Sequence, residues 1–200
     1  MKKLTFVLLA GAAALLTGCI VTSVYPFYHE KQLLFEQALL GNWSDIKDPA
    51  DQWKFEAEGT NAYRLTCTSG GKTSVMSAHC FKLSGLIFLD LASGEIKDET
   101  PAPPIPSHLL LRVIQLTPTF KMVPMKYEWL QELLAKEPKA IRHYILPDEK
   151  PEDGRIVLTA DTAELQRFVI KYLKTEKAWG DVVELQQEAP AAKAQPAATK

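Results

Sequence analysis

From Trp53 to Leu91 apolar and polar residues alternate, and glycine-bearing turns break the pattern at short intervals. A period of two places every second side chain on one face, so this stretch is expected to form an antiparallel sheet. Trp53, Phe55 and Ala57 alternate with Lys54, Glu56 and Glu58, while Tyr63, Leu65 and Cys67 alternate with Arg64, Thr66 and Thr68. Gly70-Gly71 suits a tight hairpin turn, residues 75–83 return, and Ser84-Gly85 turns the chain again. The run Leu86-Ile87-Phe88-Leu89-Asp90-Leu91 is apolar on both faces, which predicts a central strand covered on both sides.

The second half repeats a strand-then-helix order. Strands are expected over 109–116 and 120–123, followed by a helix over 127–136 that Pro138 ends. A further strand at 156–159 leads into Asp161-Thr162-Ala163-Glu164, an N-cap with an acid three residues on, which opens a helix running to about residue 175. Its residues Leu165, Phe168, Val169 and Leu173 fall on one face, with Gln166, Arg167, Lys171 and Lys174 toward water. Residues 123–134 and 158–169 align, sharing Leu130-Gln131 and Leu165-Gln166, and are read as two helices packed side by side on the sheet. A last strand is expected at 182–185. The fold class that follows is α+β: an antiparallel β meander, as an open sheet or a partial barrel, with two packed helices in the C-terminal half. A short helix or helical turn is expected within 30–40, where Leu33, Leu34, Ala38 and Leu39 recur at helical spacing.

The N-terminus carries a different signal. Lys2 and Lys3 precede an apolar run from Leu4 to Leu16 that is too short for a membrane-spanning helix, which needs ~20 residues. Leu16-Thr17-Gly18-Cys19 after it resembles the lipobox of bacterial lipoproteins. That resemblance implies cleavage between Gly18 and Cys19, diacylglyceryl and acyl (palmitate-type) modification at Cys19, and a tether over 19–24. Ile20, rather than Asp, follows the cysteine, which by the same resemblance favours the outer membrane. The expected organisation is a signal peptide over 1–18, the lipidated tether, one globular domain over 25–186, and a disordered Ala/Pro/Lys tail over 187–200. Directly after the tether, Tyr25-Pro26-Phe27-Tyr28 is of a kind that can lie at a membrane interface, but its better reading is a strap onto the core.

Removing residues 1–18 takes away two lysines and no acid, leaving 21 basic against 24 acidic side chains and a net charge of −3. Such a balance supplies no phosphate-neutralising field and argues against nucleic acid as a partner. Two thiols remain, Cys67 and Cys80. A turn at Gly70-Gly71 would set Cys67 opposite Ser74 and leave Cys80 six residues, ~20 Å, further along the strand, too far for a disulfide. Both are therefore expected as buried free thiols.

Motifs with chemical content are scarce. Gly71-Lys72-Thr73 lacks the leading glycine of a phosphate-binding loop, where Thr66 stands. His29, His79, His108 and His143 lie in four separate segments without metal-ligand spacing, so no metal and no cofactor are expected. Asp45, Asp48 and Asp51 are read as a solvated acidic loop. His79 and the adjacent Cys80 should point to opposite faces, which disfavours a catalytic pair, and no catalytic residue is assigned. The proline run over 101–106 is read as a stiff connector.

Two further resemblances concern the globular part. Gly41-Asn42-Trp43 faintly resembles the Gly-x-Trp that opens lipocalin-type barrels, although a tryptophan capping the core is the better reading. Residues 38–43, Phe81-Lys82-Leu83 with Phe88-Leu89-Asp90-Leu91, and Leu158-Thr159-Ala160-Asp161-Thr162 with Glu164-Leu165-Gln166-Arg167-Phe168 resemble blocks in a group of uncharacterised bacterial lipoproteins of similar length. The group implies no activity. The expected function is a non-enzymatic envelope module, membrane-bound through its lipid, that binds an envelope protein or a small ligand. The alternative is an envelope hydrolase with a site assembled from distant segments.

Overall fold

The computed structural model describes residues 21–93, 107–146 and 155–188. The segment expected as a signal peptide, Cys19, the proline run and all but the first two residues of the expected tail lie outside them. Twelve strands and two α-helices follow in the order β1 (Thr22–Ser23), β2 (Leu33–Leu34), β3 (Gly41–Asp45), β4 (Gln52–Glu58), β5 (Ala62–Ser69), β6 (Lys72–Leu83), β7 (Leu86–Ser93), β8 (His108–Gln115), β9 (Thr119–Pro124), α1 (Tyr127–Lys136), β10 (His143–Leu146), β11 (Arg155–Leu158), α2 (Thr162–Tyr172) and β12 (Val183–Gln187).

The meander is a closed barrel. β3 to β9 pair in sequence order, β12 lies between β9 and β3, and β8 pairs with β9, so eight antiparallel strands form a ring. This replaces the partial barrel expected from sequence. The strands that complete the ring, β3 and β12, are five residues each and stand far apart in the chain, so local periodicity carries little trace of closure. β12 also runs through Gln187, paired with Trp43, and Glu188 N–H donates to the Asn42 carbonyl, so the globular part extends past residue 186.

The register of β5 on β6 sets Cys67 opposite Ser74, as the turn arithmetic required. Gly70 and Gly71 both hold positive φ, 55° and 76°, the conformation of a primed two-residue turn whose twist matches the flanking strands. Cys67 and Cys80 are buried free thiols.

A side sheet grows from the barrel wall. β8 is longer than its contact with β9, and its free length pairs with β1, which is followed by β11 and the edge strand β10. Between residues 30 and 40 the chain forms two 3-10 turns, Glu30–Gln32 and Gln37–Leu39, with β2 between them on β6, so of the two expected forms it is the helical turn that occurs.

Two cores result. Inside the barrel lie Trp43, Trp53, Phe55, Tyr63, Phe120 and Leu185 among others. The second core sits on the outer wall, where α1 and α2 bring Leu130, Leu134, Leu165, Phe168 and Val169 against Phe81, Phe88 and Leu110. The helices meet through Trp129, whose ring lies 6.1 Å from Phe168 and 4.9 Å from Tyr172. Asp161 caps α2 by accepting the Glu164 N–H at 2.9 Å. Glu164 does not reach back to complete a capping box; it pairs with Arg142 at 2.7 Å.

One residue of α2 departs from its assigned face. Gln166, expected toward water, is 9 % exposed and donates from Nε2 to the Phe27 carbonyl at 2.8 Å and to Gln32 Oε1 at 2.6 Å. The N-terminal strap passes over this helix face, so a polar side chain there satisfies backbone that would otherwise be buried without a partner. Tyr25-Pro26-Phe27-Tyr28 is that strap: Phe27 is buried in the outer core, Tyr28 packs on its edge, and Tyr25 stays exposed.

Candidate functional site

The lumen is the first place to seek a ligand in an eight-stranded barrel. Here it is filled. Phe120 meets Trp43 at 5.9 Å and Phe55 at 6.1 Å between ring centroids, and Phe55 meets Tyr63 edge-on at 6.2 Å. All four rings are buried. Trp43 Nε1–H donates to the Leu39 carbonyl at 2.8 Å, and the Tyr63 hydroxyl bonds the backbone of Glu36, so the segment ahead of β3 is tied to the barrel by its own aromatic residues. The Gly-x-Trp tryptophan is thus a core cap in a closed barrel.

Polar chemistry gathers on the outer wall, where sequence reasoning had placed none. Asp90, on β7, is fully buried, and both its oxygens are used. Oδ2 accepts the Phe27 N–H at 2.9 Å and Oδ1 lies 2.7 Å from His108 Nδ1. A carboxylate can only accept, so Nδ1 carries the imidazole proton. His79 stands opposite Asp90 in the β6 and β7 register and therefore shares its face. Two of the four histidines that sequence separated thus converge, from β6 and β8, on one acid. His29 and His143 stay apart, His143 Nδ1 lying against the Ile141 carbonyl at 2.9 Å.

Tyr28 covers His79, ring on ring at 4.9 Å and 28°. The Nδ1 atom of His79 is buried without a hydrogen-bond partner. Burial holds the His79 pKa below its ordinary value, against the upward pull of the Asp90 charge, with His108 adding to the lowering and Glu58 opposing it. The ring is consequently neutral at pH 7. Burial, then the charges of Asp90 and Glu30, push the Tyr28 hydroxyl up to about 12. In front of these rings is a cleft of about 340 Å³ bordered by Tyr28, Glu30, Leu33, Glu58, Asn61 and His79 among others. His108 and Asp90 are not part of its border, so the Asp–His pair lies behind the cleft rather than in it. A larger hollow, about 520 Å³, lies between the exposed turn at Glu137 and Lys139 and Lys171 at the end of α2, and holds none of the unpartnered buried polar atoms.

The acidic loop after β3 differs from its expected form. Asp45 and Asp51 are both 3 % exposed. Asp45 Oδ1 accepts the N–H groups of Lys47 and Asp48, Asp48 Oδ1 accepts that of Ala50, and Asp45 N–H donates to the Asp51 carbonyl. The Asp45 and Asp48 carboxylates satisfy backbone donors of the loop, and Asp45 and Asp51 are withdrawn from solvent. Among the described residues no group of three or more His, Cys, Asp or Glu side chains is placed to hold a metal ion.

The two thiols point into the barrel, while His79 points out. Burial, with the Asp51 charge for Cys67 and the Glu36 charge for Cys80, pushes both thiols up to about 12. At pH 8 almost none of either is thiolate, the reactive form. Native protein is therefore expected to resist iodoacetamide at pH 8, and protein unfolded without reductant to take two labels at Cys67 and Cys80. Rapid modification of the native state, or an unfolded mass two units low with no label, would contradict this placement.

Comparison of this chain with protein-family models, with curated proteins and with solved structures returns no match.

Proposed function

We propose that this chain is a lipid-anchored protein of the bacterial cell envelope, held in the outer membrane through Cys19, whose globular part is a non-enzymatic binding module. The observation that carries the binding reading is the division of open and filled space: the lumen is packed with aromatic rings, while the cleft bordered by Tyr28, Glu30, Glu58 and His79 lies on the outer wall. Recognition of an envelope partner or small ligand then belongs to the outer surface, and a lipid carried inside the barrel does not fit. The anchor reading rests on Leu16-Thr17-Gly18-Cys19 and on a chain that enters the sheet at Thr22.

Cys19→Ser is expected to give an unprocessed precursor without incorporated palmitate. Continued labelling of that variant would refute the anchor.

The hydrolase reading has one observation in its favour, the buried Asp90 holding His108 Nδ1, which is the base half of a triad. Mature protein is expected to leave chromogenic carboxylic and phosphate esters intact. Turnover that His108→Asn abolishes would replace the binding reading with the hydrolase.

A further inference from the structure

The anchor leaves the fold very little slack. Val21 is 2 % exposed in the outer core, and Thr22 already pairs with β8 on one side and β11 on the other. Only Ile20 separates Cys19 from Val21, so the acylated residue lies at most ~8 Å from a buried position of the domain. A domain held that closely cannot hang free of the bilayer; some part of its surface near β1 rests on it.

The side sheet supplies that part. Tyr144 on β10, Val157 on β11 and Thr22 on β1 form one row across three strands, which puts Tyr144 two strand spacings, ~10 Å, from the entry of the tether. Among the described residues β10 has no strand on its far side. Its Tyr144 and Ile145 are 58 % and 52 % exposed, on opposite faces of the strand, so the edge itself is apolar. Tyr25, two residues after β1, is 49 % exposed. Exposed Arg155 opens β11 directly opposite Leu146. Tyrosine and aliphatic side chains bordered by arginine are the composition that settles at a headgroup boundary.

We propose that the β10 edge, with Tyr144, Ile145 and Tyr25, is a second, non-covalent membrane contact that seats the domain on the bilayer in which Cys19 is anchored. This rests on the anchor reading. The contact fixes which way the cleft beside Tyr28 and His79 faces, because the strap that carries Tyr28 continues directly from β1.

The test uses lipidated protein reconstituted into phosphatidylethanolamine and phosphatidylglycerol vesicles, with an environment-sensitive fluorophore on Ile145→Cys, Tyr144→Cys or Ile46→Cys. The buried thiols at 67 and 80 stay unlabelled in the native state. Ile46 is 47 % exposed, close to Ile145, but follows β3, three strands round the ring from β8. Probes at 144 and 145 are expected to shift to the blue on reconstitution and to lose emission to doxyl-labelled lipids, with the probe at 46 unchanged. Protein that floats with the vesicles while its 145 probe keeps its aqueous emission would overturn the contact alone. A Cys19 without acyl mass would remove the anchor and the contact with it. A blue shift that needs protein concentration and no lipid would assign the edge to a second copy of the chain, and overturn the membrane contact.

Discussion

Phe120→Ala is expected to lower the free energy of unfolding by about 3 to 5 kcal/mol, read from urea midpoints, because it removes the ring on which the lumen closes. Phe120, on β9, is fully buried and touches Trp43 on β3 and Phe55 on β4, two and three strands away round the ring. Neighbouring strands are held by their ladders, so they collapse only in part and leave a void. Lined by aromatic and aliphatic groups, that void should stay dry and accept a small apolar guest such as benzene. The melting temperature of the variant should therefore rise on adding benzene, and that of the wild type should not. A cost under about 1 kcal/mol, with benzene raising both proteins alike, would mean that the lumen is already open and would return the carrier reading.

That packed lumen marks the limit of what the sequence let one read. The interior faces of β4, β5, β6 and β7 follow period two, and the hairpin at Gly70-Gly71 put Cys67 opposite Ser74, because both depend on neighbours along the chain. The helix α1 and the Asp161 cap were legible for the same reason. Closure depends on partners far apart in sequence: β12 has to find both β3 and β9. The two-residue strands β1 and β2 are too short to show any period. β10 shows exposed Tyr144 and Ile145 where alternation would hide one of them, and among the described residues no strand flanks it on its far side.

The site was readable in principle at one position. Asp90 is an acid inside an apolar central strand, and a strand covered on both faces leaves its carboxylate no water, so partners had to exist. Naming them from sequence was out of reach, since Phe27 and His108 come from segments on either side of β7. The same holds for Gln166: periodicity gives a helix its buried face from the apolar residues alone, and the strap that needs a donor there is more than a hundred residues away in the chain.

Asp90→Ala should destabilise the protein by about 2 to 6 kcal/mol, the cost of stranding two donors that share one buried acceptor group. The variant leaves the Phe27 N–H and the His108 Nδ1–H buried without acceptors, and each unmet donor costs about 1 to 3 kcal/mol of lost hydration. Asp90→Asn keeps the shape and one acceptor oxygen, so its cost should be smaller. The amide can still accept from Phe27 and donate to a His108 tautomer with Nδ1 bare. If the acid acts as the latch of the strap, the loss has a place as well as a size. Hydrogen exchange at the Phe27 amide should accelerate in Asp90→Ala beyond what global unfolding explains, while amides on the β4 and β5 side of the barrel follow the global change. The cycle Asp90→Ala, His108→Ala and the double variant should show a coupling of about 1 kcal/mol or more, since the two side chains share one contact. Additive costs in that cycle, or a Phe27 amide that stays protected, would mean that Asp90 serves packing alone and that the strap is held to the barrel by the Phe27 ring and the Gln166 side chain.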